Sequence, residues 1–505
     1  MPDGKQQTPM DFLDPRKRRT NKIRLIIGYV LLSIAIGLGT VILVYNAYGY
    51  GINAKTGDVI QNGLLFVDSK PGGANIYLNG RSQNANTSAR LILPAADYKL
   101  TLKKDGYRNW QRVFTLTEHS IARYVYPFLF PNKLVPKTLK TYPGSQGLVS
   151  ENPSRQLLLV QTAATSLATV NFDQYDTTDL KQPVKPLSLP EGLLTSPFKT
   201  GDSLVEVEWA ADNNHLLFQH VYQDGSEFII IDRQTPVNSV NINKLFGVSP
   251  SQVALRNKKI DQVYIFNQAT GDLQVGDVGK ATLAPPIIKE AVAFKPYGAD
   301  LVTYVTKGST AGQAAAHIWD NGKTYSLNEF NAGSKYLIDA AQFQGHWYYV
   351  AGSDTSDRLN IYKDPLDSLK DSSLRKAVPI IALHIAGATN LSFSSNTRFI
   401  GAEAGQRFAV YDIEDQTSYN YASSTPFTGV AHWMDGHRWL SVAGGNVFVM
   451  DYDNINQQSL VPTSLPSGGF FSRDYNQLFT TVPVAGGSFS LQVTDMRAGS
   501  DLPKQ

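Results

Sequence analysis

Trp209-Ala210-Ala211-Asp212-Asn213-Asn214-His215-Leu216-Leu217-Phe218, followed by Phe228-Ile229-Ile230-Ile231-Asp232, is the stretch on which the reading of this chain turns. It opens on an aromatic residue, passes a polar turn, enters an apolar strand, reverses, and ends in a second apolar strand closed by Asp. Asp and Asn suit the turn because their side chains bond nearby backbone N–H groups and tolerate left-handed backbone. The short apolar runs suit strands that are buried on both faces. A small sheet of this kind cannot cover its own faces, so it is stable only when stacked against copies of itself.

Copies are present. Phe294 leads through Leu301-Val302-Thr303-Tyr304 to Ile318-Trp319-Asp320, and Phe393-Ser394-Ser395-Asn396 leads through Phe399-Ile400 to Phe408-Ala409-Val410-Tyr411-Asp412. Trp433-Met434-Asp435-Gly436 reaches Val447-Phe448-Val449-Met450-Asp451, and Phe471-Ser472-Arg473-Asp474 reaches Leu491-Gln492-Val493-Thr494-Asp495. Weaker copies start near Val149, ending at Phe172-Asp173, near Val253, ending at Asp277, and near Phe343, ending around Tyr362. Their spacing of roughly 40–60 residues is that of a four-stranded blade with variable loops. Residues 131–505 therefore predict a β-propeller of seven or eight blades, with two packed β-sandwich domains as the competing arrangement. The aromatic-Ser-x-Asp/Asn pattern at Phe393 and Phe471 resembles TolB-type and WD40-like propeller repeats, which implies a fold and not a partner.

Composition agrees with an all-β chain. Charged residues are 18% and aromatic residues 11%, with 40 Gly and 26 Pro, a mixture that suits many short strands joined by turns. The formal net charge of +3 is more than covered by the six cations Arg16, Lys17, Arg18, Arg19, Lys22 and Arg24, so the remainder has no basic excess with which to hold nucleic acid. The absence of cysteine excludes disulfide stapling and thiolate chemistry.

Those six cations stand just before a segment, Leu25 to Ala54, that has no charged side chain. At about 1.5 Å per residue, residues 23–46 are long enough to cross a hydrocarbon core of about 30 Å. Lys and Arg beside a span stay in the cytoplasm, which places everything after Asn46 outside. Ala47-Tyr48-Gly49 offers a small-x-small cleavage site. The apolar run is nonetheless longer than the roughly 7–15 residues of a signal peptide. Tyr29, Tyr45, Tyr48 and Tyr50 stand near its ends as an interfacial belt, so a retained anchor is expected. Ser33 with Gly37 and Ala35 with Gly39 are small-residue pairs common in membrane helices. Residues 1–22 then read as a disordered basic cytoplasmic tail and 47–62 as a juxtamembrane linker.

Between Gly63 and Phe130 the pattern is one of short alternating strands and turns. Leu64-Leu65-Phe66-Val67, Ala74-Asn75-Ile76-Tyr77-Leu78, Leu91-Ile92-Leu93, Tyr98-Lys99-Leu100-Thr101-Leu102 and Val113-Phe114 with Leu116 read as strands, and Asn79-Gly80 as a tight hairpin turn. A small antiparallel sandwich over 63–130 follows. The run Val67-Asp68-Ser69-Lys70-Pro71-Gly72-Gly73-Ala74-Asn75-Ile76-Tyr77-Leu78-Asn79-Gly80, with Pro94, Tyr98-Lys99-Leu100 and Lys104-Asp105-Gly106-Tyr107 after it, resembles the PEGA domain family. Gly72 stands where that family has glutamate, and the usual Gly-Thr-Pro is replaced around Asn86-Thr87-Ser88. The resemblance implies a surface spacer or adhesion-type module and brings no catalytic residue.

Motifs for chemistry fail one by one. His215/His220 and His432/His437 are five apart rather than the four of a zincin helix; with His119, His317, His346 and His384 they read as turn and strand-edge residues, and no metal is expected. Gly322-Lys323-Thr324 has His317 where a phosphate loop needs Gly, and Gly279-Lys280 is followed by Ala281. Asp451 and Asp453 fail as a calcium loop at Asn456 and Pro462. Ser373-Leu374-Arg375-Lys376 lacks the companion motifs of a Ser-x-x-Lys enzyme. The closing aspartates Asp173, Asp232, Asp320, Asp412, Asp451 and Asp495 would aim carboxylates at one rim if they share a position, or cap the turns that follow them.

No catalytic residue and no cofactor is thus expected. With 25 Tyr and 6 Trp for rigid contact area, the chain reads as a membrane-anchored extracytoplasmic binding, scaffold or adhesion protein. Its expected partners are the lipid bilayer through the helix, and an envelope protein, peptide or glycan through the propeller. The alternative is an extracytoplasmic hydrolase or lyase using carboxylates from different blades; paired carboxylates in a deep funnel would favour it.

Overall fold

The computed structural model describes residues 15–47, 50–52, 59–162, 170–371 and 377–502. The chain divides into two compact units, Met1–Leu129 and Phe130–Gln505.

The first unit opens with the helix Pro15–Ala47, whose stretch Lys22–Tyr45 is long and apolar enough to cross a membrane. It starts at Pro15 rather than at Ile23, so the basic cluster from Arg16 to Arg24 lies on the helix and not in a disordered tail. Arg and Lys are good helix formers, and Pro is accommodated at the first helical position because its missing N–H would have no partner there. The tail expected over 1–14 lies outside the described residues. Part of the expected linker is strand: Tyr50–Ile52 pairs with Val59–Val67.

The sandwich has two four-stranded sheets. In one, Val59–Val67 pairs with Ala89–Pro94 and with Ile121–Tyr124; in the other, Arg81–Asn86, Asn75–Leu78, Ala96–Lys103 and Trp110–Leu116 follow in order. The Ile121–Tyr124 strand runs parallel to its neighbour, with Leu64 opposite Ile121, so the module is not wholly antiparallel. A parallel pair joins strands distant in sequence, and no turn signal announces it. Asn79 (φ 49°) and Gly80 (φ 81°) form the expected hairpin turn, with Leu78 opposite Arg81. At Gly63 the sheets leave no room for a side chain: a Cβ there would lie 2.6 Å from Leu116 Cγ. Leu65, Ile76, Leu100, Leu102, Trp110 and Leu116 fill the core.

The second unit is a β-propeller of eight four-stranded antiparallel sheets. Blades 1 to 7 occupy 149–188, 203–241, 252–283, 291–331, 336–384, 390–422 and 428–462. Blade 8 takes three strands from 470–495 and its outermost from Pro136–Tyr142, which pairs with Ser488–Asp495 so that Tyr142 faces Phe489. The ring is thereby closed by a strand that precedes blade 1 in the chain. Each of the eight repeats read from the sequence falls in its own blade.

Middle strands such as Phe399–Ala404 and Arg438–Ala443 are almost continuously buried, because neighbouring blades cover both faces. Outer strands such as Thr417–Ala422 alternate between exposed and half-buried. First strands of several neighbouring blades touch one another and line the axis. Apolar clusters fill the seams: Leu158, Val160, Phe479 and Leu491 join blades 8 and 1, and Leu337, Val350, Ile361, Ile400 and Ala409 join blades 5 and 6.

Candidate functional site

Asp232, Asp320, Asp412, Asp451 and Asp495 each end the third strand of a blade, opposite the first residue of its second strand: His215, Leu301, Phe399, Arg438 and Gln477 respectively. Asp173 does not. In blade 1 the equivalent residue is Asp176, opposite Leu157, and in blade 3 it is Asp277, opposite Gln262. Asp173 is buried inside its strand and receives Lys140 Nζ at 2.5 Å and Tyr142 Oη at 2.7 Å, both from the strand that closes the ring. The strand-end aspartates cap turns. Asp232 Oδ1 accepts the N–H groups of Gln234 and Thr235 at 3.0 and 2.9 Å, and Asp412 Oδ1 those of Glu414 and Asp415 at 3.0 and 3.2 Å. Others are paired locally, Asp320 with Lys370 at 2.6 Å and Asp495 with Lys137 at 2.9 Å. The set is spread around the ring and makes no common site.

Two carboxyls, Glu151 and Glu403, are pushed well above their ordinary pKa. Burial pushes the Glu151 carboxyl up to about 8, with Arg155 pulling it down and Glu206 pushing it further up. Glu151 Oε1 meets no hydrogen-bond partner among the described residues, while Oε2 lies 3.8 Å from Arg155 Nε. Arg155 in turn donates to Met434 O at 3.0 Å and lies 4.9 Å over the Tyr475 ring, tying blade 1 to blades 7 and 8. Glu403, between blades 6 and 7, is pushed up to about 7 by burial, against a 3.0 Å hydrogen bond from Ala431 N.

His220 is not a turn or strand-edge residue. It is fully buried in the second strand of blade 2, with Nδ1 3.0 Å from Glu227 and Nε2 3.3 Å from Asp202. Burial raises the Glu227 carboxyl, but hydrogen bonds from His220, Thr195 and Asn241 outweigh it and hold the group near 2. The cluster fastens the 193–202 loop to the blade, through Thr195 N to Glu227, Asn241 Nδ2 to Leu193 O and Asp202 to His220. No grouping of His, Asp and Glu that could hold a metal occurs among the described residues.

The arrangement best suited to a ligand lies between blades 4 and 5, where the first and second strands turn. A cleft of about 440 Å³ is lined by Tyr297, Leu301 and Asp320 of blade 4 and by Trp347, Tyr349 and Asp364 of blade 5. Tyr297 and Trp347 stand edge to face, 4.8 Å apart at 82°, and Tyr297 is 41% exposed. Asp364 is held in left-handed backbone (φ 45°), with Oδ1 accepting Trp347 N at 2.7 Å and Oδ2 2.6 Å from His346 Nδ1. Tyr349 forms the floor. It is 0% exposed and its hydroxyl has no hydrogen-bond partner among the described residues. Burial raises its pKa, and Asp320 and Asp364 raise it further, so the phenol stays protonated.

Of these residues only Asp320, as a closing aspartate, and Leu301, as part of a repeat strand, figured in the sequence reading; Tyr297, Trp347, Tyr349 and Asp364 did not. A signal was there: blade 5 is the weak repeat whose third strand places Lys363 opposite Tyr348, with Asp364 one residue late, and the aromatic run Trp347-Tyr348-Tyr349 sits beside it.

Residues 62–125 match the family model described as the PEGA domain. No curated protein matches the chain. Among solved structures it is similar to a Dos1 propeller, at 14% identity and a TM-score of 0.44, covering 71% of this chain and 94% of that one. It is also similar to an oligogalacturonate lyase in complex with manganese, at 9% identity and a TM-score of 0.38, covering 70% and 98%. Hsv2p of Kluyveromyces lactis aligns at 10% identity and a TM-score of 0.36, covering 62% and 97%. The strand pairing defines this unit as a propeller independently of these likenesses.

Proposed function

We propose that the chain is a membrane-anchored, extracytoplasmic binding or scaffold protein, in which the helix tethers, the PEGA-like sandwich spaces, and the propeller engages a glycan, peptide or envelope protein. The cleft between blades 4 and 5 carries this reading. A buried hydroxyl left without a partner costs about 1–3 kcal/mol, a cost a ligand hydrogen bond removes. Aromatic walls around a few fixed polar groups are what small binding sites are made of. The anchor supports the location, since Arg19, Lys22 and Arg24 flank the apolar stretch on its N-terminal side.

The test is a photo-crosslinking amino acid placed at Trp347 of the full chain in intact cells. Discrete adducts are expected at Trp347 and not at Asp224, an exposed position of blade 2. Identical patterns at both positions, or none at either, contradict the binding reading. External protease checks the topology, and should digest the propeller of intact cells.

A second reading, a hydrolase or lyase, is favoured by one observation: Glu151, held near 8, interacts with Glu206 beside the axis. A protonated carboxyl beside a second carboxyl is the pairing that general acid–base catalysis uses. Release of sugar or peptide fragments by the full chain, lost in Glu151→Gln, is the result it requires.

A further inference from the structure

The cleft between blades 4 and 5 has a chemical character that narrows its ligand. Among the described residues its lining holds four carboxylates, Asp300, Asp320, Asp364 and Asp367, and one cation, Lys370. Charge alone does not define a site; here it surrounds two aromatic walls and a buried hydroxyl that lacks a partner among the described residues. We infer that this cleft takes the cationic side chain of a peptide, arginine foremost, an assignment that rests on the binding reading above.

Each component asks for the same ligand. Tyr297, packed edge to face with Trp347 at 82° and 41% exposed, offers aromatic surface to a cation. The carboxylates already gather cations at the rim, with Lys370 Nζ 2.6 Å from Asp320 and Arg256 Nη2 2.8 Å from Asp300. On the floor, Tyr349 Oη can accept a hydrogen bond, and its neighbours Asp320 and Asp364 accept more. A guanidinium supplies five N–H donors in one plane together with a face that stacks on aromatic rings, which answers floor and walls at once. An anion would meet a lining in which carboxylates outnumber cations, and an apolar group would leave Tyr349 Oη unpaired. A neutral sugar can stack on the rings but gains nothing from the net negative lining.

The test is calorimetric titration of the full chain in lipid nanodiscs with tetra-arginine amide, tetra-glutamate and chitohexaose as probes. Tetra-arginine is expected to bind with one-site stoichiometry, weakening with added salt, and tetra-glutamate is not. Asp364→Asn and Trp347→Leu should each weaken tetra-arginine at least about tenfold, and Tyr349→Phe about three- to tenfold, while the exposed Asp224→Asn, which removes the same charge elsewhere, leaves it unchanged. Unaltered near-ultraviolet dichroism shows that the variants are folded. Equal binding by all variants overturns the assignment, since attraction is then diffuse. Binding of chitohexaose that the cleft variants abolish, without binding of tetra-arginine, overturns the ligand class and leaves the binding reading intact. Silence of every probe, with Trp347 adducts still forming in cells, also overturns the ligand class; loss of the adducts too removes the binding reading itself.

Discussion

The seam between blades 6 and 7 and the seam between blades 4 and 5 start from the same register and end differently. In blade 6 the second strand begins with Phe399, opposite Asp412; in blade 4 it begins with Leu301, opposite Asp320. Phe399 stacks on Tyr452 at 4.2 Å and lies 6.1 Å from Trp433, which stacks on Trp439 at 3.8 Å. Gly401 lets that indole in, since a Cβ would come within 2.5 Å of Trp439 Cη2. Asp412 is fully buried and clamped by Arg398, Nε to Oδ1 at 2.9 Å and Nη2 to Oδ2 at 2.6 Å. At the other seam the smaller Leu301 leaves a cleft, Asp320 stays a quarter exposed, and Tyr349 Oη goes unpaired among the described residues. One repeat thus serves as a wall when aromatic volume fills its strand start, and as a site when it does not.

The largest loss of stability is expected at the sealed seam. Arg398→Met leaves Asp412 buried without its cation, and should cost about 3–5 kcal/mol in denaturant unfolding of the full chain. Gly401→Leu drives a side chain into Trp439 and should cost about 2–3 kcal/mol, read the same way. The pH dependence of Glu403 sharpens the contrast, since this carboxyl is sealed at 2% exposure. Its pKa is raised by burial to about 7 from an ordinary 4.5, so between those values the folded protein holds a proton that the unfolded chain releases. Stability therefore falls as pH rises through that window and is level above it. Glu403→Gln should remove the slope, gaining about 3 kcal/mol above about pH 8 and nothing below about pH 4, as followed by thermal melts across pH. On the open side, Tyr349→Phe removes a hydroxyl with no partner among the described residues and should raise stability by about 1 kcal/mol, where deletion of a satisfied buried hydroxyl would lower it.

Much of the sealed side was legible in the sequence. Phe393, Phe399, Trp433 and Asp412 have counterparts on other blades because turn capping and strand burial favour similar residue types at each repeat. The closing strand was not legible: Pro136–Tyr142 carries no repeat signature, being an outer strand whose pairing with Ser488–Asp495 is set by ring closure. Asp173 misled because it falls near a strand end in the sequence, whereas the register places Asp176 there. The histidines misled similarly, since hydropathy cannot show that Glu227 and Asp202 bury His220 with its charge partners. The cleft was least legible, because it arises where the repeat weakens. A missing aromatic at Leu301 and a displaced Asp364 look like noise until blades 4 and 5 are set side by side.

The most direct measurement is therefore to close the open seam with the residue that closes the other. Leu301→Phe, titrated with tetra-arginine as the full chain in nanodiscs, is predicted to melt no lower than the parent and to lose at least about tenfold in affinity. Undiminished binding by a folded Leu301→Phe protein would contradict the assignment of this seam as the propeller's site.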